Sequence, residues 1–421
     1  MRYAFPALVA VLVVTATVTV GTPALSSPTP ADTVASETPD SAAAPIATTG
    51  NTSNYLELDR TTRSQFGNAS LDLGAAVAAD SAQLRETFAI ETGVERFRSA
   101  PNTSAKTAVL RDQSAEIRNR TAALRQYQRR TIQQFDDGHI PAEVVFRRLA
   151  MIDSRARTIE DSALRLQGIA QFTPRYTIPF EIDNQLTNAR ERAGLFYTDP
   201  RENLRASLVG TRDTKQYLVQ TGGSGFVLAG ADSSRQSYTR EGYIDNRFQQ
   251  SGSDRFDGDF GAALDYVSDL YPWAGTDRNQ RGSEDDIDSL LASIYQVSIT
   301  HKHGELETYL DGSNADVFME VQDKRLSRLP VTSTVSETNA TADLTVDANL
   351  THETGPMELT VRDTTTDDPV DARITVDGQF VGETGADGTL WTIQPDETVD
   401  VEARTDDGSV AFSVIHDTSG V

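Results

Sequence analysis

Apolar residues recur along this chain with changing periods, and the changes divide it. Val145, Leu149, Ile152, Ala156, Ile159, Ala163, Leu166 and Ala170 follow one another in alternating steps of four and three, which keeps them on one stripe of an α-helix. Leu110, Ser114, Ile117, Thr121, Leu124, Gln128, Thr131 and Phe135 repeat the spacing with polar residues mixed in. Between the two runs lies DDGHIPAE, where Gly138 stops one helix and Pro141 opens the next. The pattern predicts an antiparallel helical hairpin. A third helix, about Leu71 to Phe97, completes a bundle over residues 55–172.

Residues 175–326 mix the two periods. DPRENLRASLVG reads as a short helix, and KQYLVQ, FVLAGAD and RQSYTREGYI as a strand meander turning at TGGSG. SEDDIDSLLASI then has the capping-box start of a helix at Ser283, and strands follow over Tyr295–Lys302, Leu306–Leu310 and Val317–Gln322. Helix, strand, turn, strand, strand thus occurs twice, some 80 residues apart, as a duplication would leave it. After a linker at 327–341, residues 342–421 alternate in seven short runs. Asp377-Gly378, Asp387-Gly388 and Asp407-Gly408 mark turns there, since both residue types tolerate positive φ. This predicts an all-β sandwich. The fold class is therefore multidomain: an N-terminal α-helical bundle (antiparallel helical hairpin plus one helix), a central α+β module and a C-terminal all-β sandwich.

The N-terminus changes the picture of where this protein works. Arg2 precedes an apolar run from Ala7 to Val20 and small residues near Ala24, the layout of a secretory signal. Residues 1–24 form a signal peptide or, if uncleaved, a signal-anchor that gives the only membrane association. Residues 25–54, rich in Ala, Ser, Thr and Pro, read as a disordered stalk. An extracellular or cell-surface location follows. Sequons at Asn51, Asn68, Asn102, Asn119, Asn339 and Asn349 are possible glycosylation sites.

Charge narrows the partners. The chain carries a formal net charge of -24, no cysteine, and only Lys106, Lys215, Lys302 and Lys324 as lysines among 38 basic residues. It looks adapted to concentrated salt, where a Debye length of ~3 Å screens self-repulsion. Nucleic acid is excluded as a partner for want of a basic stripe with aromatics. The basic charge is concentrated at 101–170, which hold 12 Lys or Arg against 8 Asp or Glu by count, whereas 331–421 hold 3 against 19. RQYQRR contains Arg125, Arg129 and Arg130, which either shield an imperfect seam with their stems or dock an acidic surface: a neighbouring protein, an anionic headgroup or this chain's own acidic region.

Candidate chemistry adds little. Strand alternation puts Tyr295, Val297, Ile299, His301 and His303 on one face, so the histidines extend an apolar row to the sheet's rim, where they are expected to be solvated or bonded to carboxylates. A zinc site needs further ligands, and His139, His352 and His416 lie in other predicted domains. GGSGF lacks the second glycine of a nucleophile elbow, and YPWAG reads as an aromatic cluster closing a core. No catalytic, cofactor-binding or metal residue is assigned, and no cofactor.

DPVDARITVDGQFVGETGADGTLWTI, Asp368 to Ile393, resembles the carboxypeptidase-regulatory-like, transthyretin-like family of extracellular sandwiches through its P-V-x-A-x-[IV]-x-V, G-E-T and D-G-x-L runs. That resemblance implies a structural or adhesive module without catalysis. THKHGELETYLDG and VFMEVQDKRL make residues 55–420 look like an uncharacterised secreted family of salt-loving archaea, and GELETYLDGSNADVF weakly resembles the PepSY module linked to restraint of proteases. Ala315-Asp316 stands where PepSY modules often have glycine. The expected function is that of a non-catalytic, exported cell-surface protein with a structural, adhesive or protein-binding role and an envelope or secreted partner. The alternative is a regulator or inhibitor of an exported enzyme.

Overall fold

The computed structural model describes residues 55–212, 215–249, 252–275, 287–291, 293–352 and 354–414. Helices α1 (Leu73–Ser99), α2 (Thr103–Asp136) and α3 (Ala142–Gln171) follow the expected pattern. Asn102 starts α2 by accepting the Ala105 amide at 2.9 Å. Every seam position of α2 and α3 is buried, the polar ones included. Thr121 and Thr131 return their hydroxyls to carbonyls four residues back, and Ser114 donates to Gln185, so these three enter the core satisfied, whereas the Gln128 amide has no partner among the described residues.

Layers do not respect the predicted boundary at 172–175. Helices α4 (Phe180–Gly194) and α5 (Asp199–Leu208) share the bundle's core through Leu186, Ala189 and Leu204. In exchange, β1 (Arg63–Ala69) leaves the helical stretch to pair antiparallel with β2 (Lys215–Gly222). The central sheet is antiparallel and eight-stranded, in the order β1-β2-β3-β4-β8-β7-β6-β5. Its other strands are β3 (Gly225–Asp232), β4 (Ser237–Ile244), β5 (Ile287–Leu291), β6 (Ile294–His301), β7 (Gly304–Asp311) and β8 (Asp316–Arg325). One face, with Tyr217, Leu228 and Met319, meets the helices. The other, with Leu218, Val297 and Leu306, shares a core with α6 (Phe260–Leu270), the short α7 (Pro272–Gly275) and the sandwich.

The mirrored strand order comes from repetition. Gly222 pairs with Gly225 and His301 with Gly304; Tyr217 pairs with Gly230 and Gln296 with Tyr309. Each pair reproduces the other shifted by 79 positions. One extra residue, Phe318, then bulges β8, and the two halves join through β4 and β8 symmetrically about the pair Glu241 and Val321. The repeated strand, turn, strand, strand unit is present. The helix expected from Ser283 is not: Ile287–Leu291 is β5, paired with β6, and residues 276–286 lie outside the described ones. An unfilled edge of β6 offers that segment a ladder of backbone partners, which outweighs a short run of helical spacing.

The sandwich has two four-stranded sheets. The first, in the order β14-β11-β10-β9, uses β9 (Ser333–Asn339), β10 (Leu344–Leu350), β11 (Pro356–Asp363) and β14 (Thr389–Ile393). The second, β13-β12-β15-β16, uses β12 (Arg373–Val376), β13 (Gln379–Glu383), β15 (Val399–Arg404) and β16 (Ser409–Val414). About half of the predicted linker is therefore strand β9. As an edge strand, STVSETN is exposed over most of its length, so it carries no alternation to read. Asp377 and Gly378, at φ 49° and 72°, make the β12–β13 turn as expected.

Candidate binding site

The basic run of α2 lines a cleft against α4. Arg118, Arg125 and Arg129 from α2 and Arg192 from α4 surround a cavity of about 350 Å³ whose apolar lining includes Ala189, Leu195, Phe196 and Phe248. Steps of seven and four residues put the α2 arginines on one helix face. None of the lining residues is a carboxylate, although the chain as a whole is strongly acidic.

Arg125 is fixed from below. Its Nε donates to Asp245 Oδ1 at 2.8 Å, its Nη2 donates to the carbonyls of Asp245 and Phe248, and its guanidinium lies 4.7 Å from the Phe248 ring centre. Tyr243 donates to the same carboxylate at 2.8 Å. Burial works against the charge of Arg125, but the bond to Asp245 and the charge of that carboxylate outweigh it and raise its pKa. Arg129 stands 3.6 Å from Asp245 and is otherwise exposed. Arg118 and Arg192 make no ion pair among the described residues. Partial burial, and then the charge of Arg125, lower the pKa of Arg192. The cleft therefore has Arg125 and Arg129 facing Asp245 from within the chain and two heads, Arg118 and Arg192, without an ion pair among the described residues, around an apolar floor. Guanidinium groups around an apolar floor suit an anion attached to an apolar group. Arg130 is exposed and does not line the cleft. Arg118 and Arg192 were not singled out in the sequence.

The histidines are not rim residues. His301 and His303 are 4% and 7% exposed, because α7 lays Trp273 edge-on to His301 with ring centres 4.6 Å apart. Their bonds go to the backbone instead of carboxylates: His301 Nδ1 accepts the His303 amide at 3.2 Å, and His303 Nδ1 meets the Arg328 carbonyl at 2.7 Å. Burial, and then the charge of Lys324, lower the His301 pKa to about 3. Among the described residues no group of three or more His, Asp or Glu is arranged to hold a metal. YPWAG closes the core here, with Tyr271 fully buried.

A second cavity, about 440 Å³, lies between α5 and the helix-facing side of the sheet, with Asp199, Glu202, Glu305, Glu307 and Asp323 in its wall. Burial raises the pKa of Glu307 and Asp323, and neighbouring carboxylates add to it.

The sequons divide by accessibility. Asn68 and Asn119 are exposed, and Asn102 is exposed at its helix cap. Asn339 donates its amide to the Ser409 carbonyl and Asn349 donates to Glu358, so the nitrogen that a glycan would need is engaged at both. Asn51 lies outside the described residues.

A family model described as Domain of unknown function (DUF7096) matches residues 1–213. One described as Family of unknown function (DUF7094) matches 217–330. A third, described as Archaeal fibronectin-III type-like domain, matches 335–412. The sandwich is thus of the immunoglobulin and fibronectin kind, and its match is to a different family from the one that residues 368–393 resemble. No curated protein and no solved structure matches the chain.

Proposed function

We propose, from the premise that this chain belongs to the DUF7096 family, that it is a non-catalytic, exported surface protein of a salt-adapted archaeon and binds an acidic protein partner through the arginine cleft of α2 and α4. The observation that carries this reading is the cleft itself: Arg118, Arg125, Arg129 and Arg192 around an apolar floor, with no carboxylate among the lining residues. On a chain of net charge -24, such a concentration of guanidinium groups selects for an anionic ligand. An exposed carboxylate on a partner would gain charge-assisted bonds from Arg118 and Arg192, which make no ion pair among the described residues. Salt adaptation is supported by the acidic composition and the scarcity of lysine, and export by Arg2 and the apolar run that follows it. A fibronectin-like sandwich is an ordinary companion of a binding role at a surface.

Binding of a fluorescent peptide rich in glutamate and leucine to the full chain tests this. Arg118→Gln with Arg192→Gln is expected to weaken it about tenfold or more while helicity stays unchanged, since both residues are exposed and make no ion pair among the described residues. Equal affinity for wild type and double variant would overturn the proposal.

A further inference from the structure

Helix α1 presents an apolar stripe that nothing in the described chain covers. Leu73, Val77, Leu84 and Phe88 are 70%, 64%, 71% and 74% exposed. At 100° per residue they fall within an arc of roughly 60°. The helix packs through its other side: Ile90, Gly93, Val94 and Phe97, which are partly or fully buried, centre about 140° away. The stripe is therefore not the frayed margin of the packing face. It is a second apolar face, on the part of α1 that precedes its buried C-terminal half.

The spacing of the stripe names its partner. The intervals between the four residues are four, seven and four, a palindrome centred between positions 80 and 81. Reversing the helix maps the stripe onto itself, so that Leu73 faces Phe88 and Val77 faces Leu84 of an identical helix. Each contact then occurs twice, the signature of an isologous two-fold interface. Ser81, at the centre, is small enough to let the helices approach. At roughly 100 Å² of apolar surface per side chain, the stripe offers about 400 Å² per copy, the size at which exposed apolar surface marks an interface. Two copies with their polar margins reach about 1,000 Å² in total, near the lower bound for a specific association.

We infer that the α1 stripe pairs with that of a second copy of this chain, antiparallel, about a two-fold axis between positions 80 and 81. The dimer is modest in area and so concentration-dependent. It leaves the arginine cleft of α2 and α4 free, because α1 turns this face away from the bundle.

Sedimentation of the full chain over a range of concentrations is expected to show a monomer–dimer equilibrium that Leu84→Glu shifts at least tenfold toward monomer. Circular dichroism should be unchanged, since the side chain is exposed. The absence of native cysteine permits a positional test. A single Ser81→Cys chain should be joined into dimers by a short bis-maleimide, and Leu84→Glu should abolish the product. Thr92→Cys should not react, because antiparallel pairing sets the two copies of position 92 about 34 Å apart. A monomeric wild type, cross-linking at position 92 as efficient as at 81, or a dimer indifferent to Leu84→Glu would each overturn the inference. Binding of a monomeric wild type to zwitterionic vesicles, lost in Leu84→Glu, would overturn it too and assign the stripe to a lipid surface.

Discussion

Asp232 and Asp311 do the same work 79 positions apart. Each ends the middle strand of a meander, and through Oδ1 each accepts both the amide and the hydroxyl of the serine two residues on: Ser234 at 3.1 and 2.7 Å, Ser313 at 2.9 and 2.6 Å. Each turn closes on a residue with left-handed φ, Gln236 at 53° and Ala315 at 61°. The repeat thus extends beyond strand order to the side-chain chemistry of its turns. The surroundings have diverged: Ser233 accepts the Trp391 amide of the sandwich, whereas Gly312 donates to Ser293.

Replacing either aspartate with alanine should therefore cost stability by a similar route. Each change strips a turn of its amide acceptor and leaves another group unpaired, Lys215 beside Asp232 and the Gln249 amide beside Asp311. About 1–3 kcal/mol is expected at each site by urea unfolding. The lysine bond and turn amides overcome burial and hold the Asp232 pKa down to about 2. Its contribution is accordingly present above the ordinary carboxylate pKa and lost as pH falls from about 4 toward 2.

The buried pair Arg201 and Glu241 gives a second prediction. Both side chains are fully buried, and Arg201 grips the carboxylate with Nη2 at 2.6 Å and Nε at 2.9 Å while Thr198 donates to it. Arg201→Met should destabilise by about 3–5 kcal/mol because it strands a buried carboxylate. Adding Glu241→Gln, which removes the charge and keeps the acceptor for Thr198, should recover a large share. A double variant no better than the single would mean that packing of the arginine stem, and not charge, sets the cost.

How far the sequence carried these features depends on pattern length. The α3 seam is legible because eight consecutive apolar positions share one period. Strand β9 is not, because an edge strand exposed on both sides loses the alternation that reveals strands. Arg125 and Arg129 stood out in a charge run, and Arg118 could have been added from its spacing of seven residues. Arg192 reaches the cleft only by the packing of α4 on α2, and Arg130 lies one residue, some 100°, around the helix from Arg129 and so misses it. Burial of His301 was hidden for the same reason: Trp273, which covers it, is 28 positions away.

That burial sets a pH dependence. His301 is neutral in the fold, with its pKa lowered to about 3, against about 6.5 in the unfolded chain. Between those values the unfolded state binds the extra proton, so stability falls as pH is lowered through the window, by up to about 1.4 kcal/mol per unit. Above pH 6.5 the term vanishes. His301→Phe, which keeps the ring against Trp273, should flatten the acid limb of a stability–pH curve relative to wild type. Parallel curves from pH 6 to pH 4 would show that this imidazole does not carry it.

Arg125 and Arg130 separate holding from binding. Arg125 is bonded to Asp245 and to two carbonyls and stacked on Phe248, so Arg125→Gln should cost about 1–3 kcal/mol by removing the partner of a largely buried carboxylate. Arg130 lies exposed beside the cleft, and Arg130→Gln should change unfolding by less than about 0.5 kcal/mol. It should leave peptide binding within about twofold as well. The contrast is informative because both residues belong to the same basic run of six. If the run acted only as a diffuse positive surface, the two substitutions would reduce peptide binding equally and neither would affect stability. A built cleft instead predicts a stability loss confined to Arg125, and a binding loss without a stability loss at Arg118 and Arg192. Denaturation and peptide titration on the four single variants distinguish these patterns directly.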